Sequence, residues 1–327
     1  MTNTYLVTGA MGCLGAWTIH NLVAHAERVI GLDLSTDPFR LKLLMSDAEI
    51  EGVQLLQGDI TDYNSVERIV LEQGVTHVIH LAALQVPFCK ANPVLGSQVN
   101  VVGTVNVFEA AARHPDIVQR VVYTSSAAVY GPSSLYGSGA VREDAPLAPA
   151  THYGVYKQAN EGTARIYAQD SGVTSIGVRP YVIYGLGRDR GVTSSPTKAM
   201  LSAALGKSFP ITYGGRCNFQ WADDVAKTLI ALANVPFTGA RVVNLGGSRV
   251  SVREVAEAIE AAARILPERI LYPDTPLPFP DELDDTGLKE LLPDAPETPL
   301  SEGVRATIEA FRDLVALSRI DVENALA

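Results

Sequence analysis

The sequence predicts an α/β protein built on a doubly wound parallel sheet. Three observations carry that expectation. Short β-branched or apolar runs alternate with helix-like stretches through the first 180 residues. The first of these runs leads directly into three glycines that open a helix. Polar residues able to do chemistry gather just after the strand ends, where an open parallel sheet places its ligand crevice.

Each element follows in order. "TYLVTGA" is a strand, and residues 14–27 follow as a helix. "RVIGLDL" is a second strand ending at Asp33, and "VQLLQGDI" is a third ending at Asp59. Residues 62–73 read as a helix with Val66, Ile69 and Val70 on one face. "VTHVIHLAA" is a fourth strand, residues 100–113 a helix, and "RVVYTSSAAVYG" contains a fifth strand. A long helix over 153–170 precedes a sixth strand, "TSIGVRP". Strands separated by helices make a parallel sheet covered on both faces, and right-handed crossovers wind it in two directions. After residue 181 the texture changes. "YGLGRDRGVTSSP" is a loop, and "ARVVNLGG" is a strand that returns to the main sheet. Residues 267–299 hold eight of the 19 prolines, which excludes one long helix there. A final helix spans 301–318.

Composition narrows the partners. The 327 residues are 47% hydrophobic and carry a net charge of −10 with a pI near 5.1. That acidity argues against nucleic acid and against anionic membrane, since both need a basic surface. Cys13, Cys89 and Cys217 lie far apart, with no CxxC or Cys/His spacing, so neither a metal nor a disulfide framework is expected. The start "MTNTYLVTGAMG" has no cationic segment followed by an apolar run, and no apolar stretch approaches the ~20 residues of a membrane span. The expectation is a cytoplasmic protein acting on a small molecule.

"VTGAMGCLG" places glycines at 9, 12 and 15 between a strand and a helix. Gly9 allows a tight turn, Gly12 lets backbone approach a pyrophosphate, and Gly15 lets helix and strand pack closely. The helix N-terminus then faces the phosphates with unpaired N–H groups. Asp33 stands 18 residues after Gly15, where a carboxylate can accept hydrogen bonds from ribose hydroxyls and repel a 2′-phosphate. Arg40 lies too far along to overrule it. The cofactor expected is NAD. On this reading residues 1–180 with about 240–247 form a Rossmann-like NAD-binding domain. Residues 181–239 and 248–327 form a smaller, discontinuous C-terminal substrate domain that acts as a lid.

"ATHYGVYKQAN" sets Tyr153 and Lys157 four apart, one turn apart on one helix face. Ser126 lies at the end of the fifth strand, beside the start of that helix in a doubly wound sheet. The three side chains can converge. A free phenol has a pKa of about 10, too high for a base at neutral pH. An ammonium and an oxidised nicotinamide both favour phenolate. Ser126 can hold a substrate oxygen while Tyr153 takes its proton. A surface aromatic–lysine pair is the alternative reading of the same spacing.

These motifs, in order, resemble the extended short-chain dehydrogenases/reductases, the NAD-dependent epimerase/dehydratase group. The resemblance spans "TGAMGCLG", Asp33, "GDI" at 58–60, "HLAA" at 80–83, "VNVVGT" at 99–104, "SSAAVYG" at 125–131, "YGVYK" at 153–157, "RPYVIYG" at 179–185 and "DDVA" at 223–226. It implies that Met11, Cys13 and Leu14 belong to the cofactor loop, that Asp59 and Ile60 flank the adenine, and that Leu81, Ala82 and Ala83 line the cofactor. It implies a place for Asn100 near the active site and for His80 near the cofactor. It also implies a homodimer through helices near 100–113 and 153–170. Ser125, Arg179, Tyr181, Thr193 and Ser194 are candidate substrate contacts. Arg179 is alternatively a structural partner at the sheet end.

Departures from the family pattern matter. Ala127 and Ala128 stand where sugar 4,6-dehydratases carry an Asp-Glu pair, and Ala128 where sugar-nucleotide decarboxylases carry Glu. Cys217 occupies the place of an arginine that grips a nucleotide diphosphate, and residues 270–300 contain no arginine. "RGVTSSPTKAM" has some likeness to threonine dehydrogenases. The leading expectation is therefore NAD-dependent hydride transfer at a secondary alcohol of a small sugar, sugar acid or hydroxy acid, with Tyr153 as base. The alternative is an NAD-dependent (nucleotide-)sugar 4-epimerase that keeps its cofactor bound.

Overall fold

A computed structural model describes residues 3–326. Positions 1, 2 and 327, the outermost of the expected domain spans, lie outside the described residues. Ten strands are assigned: β1 (Thr4–Thr8), β2 (Arg28–Asp33), β3 (Gln54–Gln57), β4 (His77–His80), β5 (Arg120–Thr124), β6 (Ser175–Arg179), β7 (Val182–Tyr184), β8 (Arg216–Trp221), β9 (Ala240–Asn244) and β10 (Ser248–Ser251). Seven of them form one sheet in the order β3-β2-β1-β4-β5-β6-β9, and every pairing is parallel. The order reverses between β1 and β4, which opens a crevice at their carboxyl ends. β9 joins this sheet beside β6, although it follows β7 and β8 in the chain. The other three strands form a small sheet, β10-β8-β7, with β8 and β10 antiparallel.

Side-chain alternation explains why the large sheet is buried on both faces. Tyr5 and Val7 of β1 enter one apolar cluster, and Leu6 between them enters the other. The first cluster continues into the C-terminal half of the chain through Tyr181, Phe219, Val252 and Phe311. One core therefore joins the small sheet to the large one. Each fully buried Leu or Ile contributes about 1.5–3 kcal/mol.

Local signals place the helices. Helix Tyr63–Gln73 begins on Asp62, whose carboxylate accepts from the Ser65 N–H, and ends at Gly74 with φ +61°. Its expected face, Val66, Ile69 and Val70, is buried. Helix His152–Ser171 starts one residue earlier than the sequence suggests, capped by the Thr151 hydroxyl, and stops at Gly172 with φ +69°.

The stretch expected as one helix over 100–113 departs from that form. It opens with a wide π turn, Gln98–Val102, and continues as α-helix Gly103–Arg113. The cause is tertiary. The Asn100 carbonyl accepts from both Asn160 Nδ2 and Thr104 Oγ1, at 2.9 and 2.8 Å, and its side chain holds both the N–H and the carbonyl of Leu84.

The proline-rich stretch 267–299 is mostly irregular, with one short helix, Thr286–Leu291, before helix Leu300–Ala316. Among the described residues no helix is long and apolar enough to cross a membrane. None of their His, Cys, Asp and Glu side chains form a group of three that could hold a metal ion.

Candidate active site

The glycine loop is shaped by two contacts that tolerate no methyl group. Gly9 has φ +71°, and a Cβ there would come within 2.8 Å of the Ala82 nitrogen. A Cβ on Gly15 would overlap the Gly9 carbonyl oxygen. Helix Cys13–Ala24 therefore starts hard against the end of β1. It carries no side-chain cap at Gly12 and no acid in its first turn. Its first N–H groups and its positive dipole end remain available to an anion. At the end of β2, Asp33 accepts from the Met11 N–H and the Ser35 N–H, each at 2.9 Å, and its carboxylate lines the same crevice.

That crevice is one cavity of about 500 Å³. It runs from Gly9, Gly12, Cys13, Leu14, Gly15 and Asp33, past Asp59, Ile60, Leu81, Ala82 and Ala83, to Ser125, Ser126, Tyr153 and Lys157. It then continues to Tyr181, Thr193 and Leu277, Pro278 and Phe279 of the proline-rich stretch. The glycine-loop end fits a dinucleotide: orphan N–H donors for its phosphates, a carboxylate for a ribose, and no room lost to side chains. Arg40 does not offer itself to a 2′-phosphate. Its guanidinium is held by Asp189 at 2.8 and 2.9 Å and by the Met11 carbonyl at 2.8 Å. Trp17 Nε1 donates to the Leu186 carbonyl at 3.0 Å, so the segment around 186–189 is strapped across the glycine loop from two sides.

Ser126, Tyr153 and Lys157 converge because one glycine lets them. Gly154 packs where a Cβ would overlap the Ala128 carbonyl oxygen, so the first turn of helix His152–Ser171 lies directly on the Ser126–Ala128 turn. Lys157 is buried and donates from Nζ to the Thr124 carbonyl at 2.6 Å. Its ammonium lies 5.6 Å from the Tyr153 ring centre.

The electrostatics differ from the simplest expectation. Burial pushes the Tyr153 phenol up to about 12, against the Ser126 hydroxyl and the Arg188 guanidinium, which pull it down. Burial also brings Lys157 down to about 8, opposed by Cys89 and Glu161. The protein's own residues thus leave Tyr153 holding its proton at neutral pH. An oxidised nicotinamide bound beside it would supply positive charge that favours the phenolate.

Several expected contacts sit elsewhere. Asn100 is buried outside the cavity and ties Leu84 to helix His152–Ser171. His80 bridges Thr8 and Thr104 at 2.7 and 3.0 Å, and burial lowers its pKa to about 3, so it stays neutral scaffold. Arg179 is held by Glu161 through two 2.8 Å bonds and does not line the cavity. Ser194 caps a turn on the Gly191 carbonyl, and Met11 contributes backbone only. Sequence reasoning missed Thr151, Gly154, Gln85, Arg188 and Phe279. Of these only Thr151 carried a readable signal, a capping residue just before a helix.

Comparison with known proteins agrees with this geometry. The profile of the NAD dependent epimerase/dehydratase family matches residues 5–246. A UDP-glucose 4-epimerase from Mycolicibacterium smegmatis is 31% identical over 324 residues, which covers 94% of this chain and 98% of that one. The solved structure of MoeE5 in complex with UDP-glucose and NAD is 26% identical, with TM-score 0.78, covering 96% and 100% of the two chains. An L-threonine dehydrogenase from Clostridium difficile shares the fold at TM-score 0.82 and 21% identity, covering 95% and 98%. The family description and the MoeE5 complex both name NAD, the cofactor that the glycine loop and Asp33 fit. With a seven-stranded parallel sheet, a dinucleotide cradle and a profile match over three quarters of its length, the chain belongs to the NAD-dependent epimerase/dehydratase family.

Proposed function

We propose that this enzyme is a 4-epimerase of a sugar carried on a nucleoside diphosphate. One observation carries the reading: Ser126, Tyr153 and Lys157 sit midway along a single cleft that runs on into the lid, in a chain alike end to end with a UDP-glucose 4-epimerase. A cleft that continues beyond the reacting groups suits a long substrate better than a free hydroxy acid. That likeness favours epimerisation over the net oxidation anticipated from the absent arginines.

Bound NAD supplies a hydride acceptor that later returns the hydride to the same carbon. The protein's residues do the rest. Ser126 donates to the reacting sugar oxygen. Tyr153 accepts the hydroxyl proton and gives it back after the sugar has turned its other face. Lys157, fixed on Thr124, holds positive charge beneath the phenol throughout. Ala127 and Ala128 offer no second acid or base, so proton transfer is confined to the tyrosine and dehydration has no catalyst.

The second reading is oxidation of a small polyhydroxy compound with release of NADH. Cys217 favours it. That side chain is buried at 1% exposure, and the adjacent Arg216 is engaged by Glu254 and Glu282, so β8 offers no guanidinium to a diphosphate. Incubation with UDP-glucose or UDP-galactose separates the two. Interconversion without rising NADH absorbance supports epimerisation. NADH accumulating with a free sugar or sugar acid, and no interconversion, overturns it. Tyr153→Phe is expected to slow the reaction about 10²–10⁴-fold.

A further inference from the structure

A buried row of hydrogen bonds runs from the end of β1 to the helix that carries Tyr153 and Lys157. On that helix, Asn160 donates from Nδ2 to the Asn100 carbonyl at 2.9 Å. Thr104 Oγ1 reaches the same carbonyl at 2.8 Å and His80 Nε2 at 3.0 Å. His80 Nδ1 meets Thr8 Oγ1 at 2.7 Å. At the far end Thr8 Oγ1 accepts from the Leu81 and Ala82 N–H groups, each at 3.2 Å. Thr8, His80, Asn100, Thr104 and Asn160 are all buried, so water does not complete any of these bonds.

The direction of each bond is forced. A carbonyl only accepts, so Thr104 spends its single hydroxyl proton on Asn100. Thr104 Oγ1 can then only accept from His80, which puts the ring proton on Nε2. The bare Nδ1 of that neutral ring is an acceptor, so Thr8 donates to it. The Thr8 oxygen keeps two lone pairs, one for the Leu81 N–H and one for the Ala82 N–H. The other tautomer fails at both ends. A bare Nε2 would face a Thr104 oxygen with no proton left, and Thr8 would meet three donors with two lone pairs. An imidazolium fails at Thr8 in the same way, and burial, with the Lys157 charge behind it, lowers the ring's pKa to about 3.

The row ends at the dinucleotide cradle. Thr8, Leu81 and Ala82 line the cavity, whereas His80, Thr104 and Asn160 do not. The 81–82 backbone lies so close to the glycine loop that a Cβ on Gly9 would come within 2.9 Å of the Leu81 carbonyl carbon. A small turn of those two peptide planes therefore disturbs the surface a dinucleotide rests on.

We infer that His80 is a positioning residue for the dinucleotide site: a neutral imidazole fixed as the Nε2–H tautomer, which makes Thr8 a donor and keeps the Thr8 oxygen free to hold the Leu81 and Ala82 N–H groups. The order of protons is set from behind, by Thr104 on helix Gly103–Arg113. The Asn100 carbonyl that Thr104 satisfies is also an anchor of helix His152–Ser171, so the cradle and the helix of Tyr153 and Lys157 are referenced to one atom. The inference concerns the NAD site alone and holds whether the enzyme epimerises or oxidises.

Two-bond nitrogen–proton correlations of the labelled imidazole rings, recorded on the full chain at neutral pH with and without NAD, read the tautomer. The His80 signals are those missing in His80→Gln or, should that variant not fold, those that move in Thr104→Ser. A protonated Nε2 with a bare Nδ1 supports the inference. A proton on Nδ1, alone or together with Nε2, overturns it. Calorimetric titration with NAD then tests the positioning role. Thr104→Val keeps the shape of the side chain and removes its hydroxyl, with Thr104→Ala in its place if the valine variant does not fold. NAD affinity should fall about 3- to 10-fold as the Nδ1–H form appears, while Thr104→Ser, which keeps the hydroxyl, stays within about twofold of wild type. Unchanged NAD affinity without the hydroxyl overturns the role. An equal loss in Thr104→Ser overturns it too, since packing and not proton order would then be responsible.

Discussion

Replacing Lys157 by methionine tests the electrostatic account most directly. The ammonium is 3% exposed and makes one hydrogen bond, to the Thr124 carbonyl. Burial moves its pKa from 10.5 to about 8. A base whose folded pKa is depressed destabilises the fold wherever it is charged. The cost is fully present below the folded pKa and disappears as pH climbs toward the unfolded one. From 10.5 to about 8 this amounts to roughly 3 kcal/mol at pH 7, of which under 1 kcal/mol survives at pH 10. Methionine is close in length and carries no charge, so the variant escapes the cost at every pH. It forfeits the Thr124 bond at every pH alike. The stability of Lys157→Met relative to wild type should therefore fall by about 2–3 kcal/mol between pH 7 and pH 10. Urea unfolding of both proteins at the two pH values, followed by far-UV circular dichroism, measures it. Taking the difference cancels every group the two proteins share. A relative stability that stays constant, or that moves in the variant's favour as pH rises, refutes the claim that a charged lysine is held here against its solvation. The variant should also lose turnover, which would mark the lysine as a residue kept at a cost to stability.

Other outcomes follow from the packing. Gly154→Ala should push the first turn of its helix off Ala128, lowering kcat by at least about tenfold while calorimetric NAD affinity changes far less, because positioning errors near an ångström are costly at the reacting atoms. Arg179→Met leaves the buried Glu161 carboxylate without its ion-pair partner and should cost about 3–5 kcal/mol in chemical denaturation. Arg179→Met, Glu161→Leu together should be much less damaging than the sum of the singles, since no charge is then stranded.

The large sheet could be read from the chain because its signals are local. Each strand is a short apolar run, each helix has a cap or a face, and "VTGAMGCLG" spaces its glycines where backbone meets backbone. The convergence of Ser126, Tyr153 and Lys157 was legible for the same reason: Tyr153 and Lys157 share a helix, and one strand end brings Ser126. What escaped depends on distant partners. Nothing near Arg179 announces Glu161 or the Tyr130 hydroxyl that its guanidinium also meets. The π turn at Asn100 answers to Asn160 and Leu84, not to its own neighbours. Gln85 and Arg188 are more than a hundred positions apart, and both come close to Gly191. The substrate reading leaned on two missing arginines, and absence at one position says little when another loop can carry the charge.

The strap formed by Arg40, Asp189, Trp17 and Leu186 bears on how long a dinucleotide stays. Opening the chain on that side of the glycine loop requires a bidentate ion pair and an indole bond to let go together, which is a small local unfolding event. An enzyme that borrows a hydride and must return it to the same molecule gains from such a slow exit. On the epimerase reading proposed above, weakening that latch should make turnover depend on the dinucleotide concentration around the enzyme.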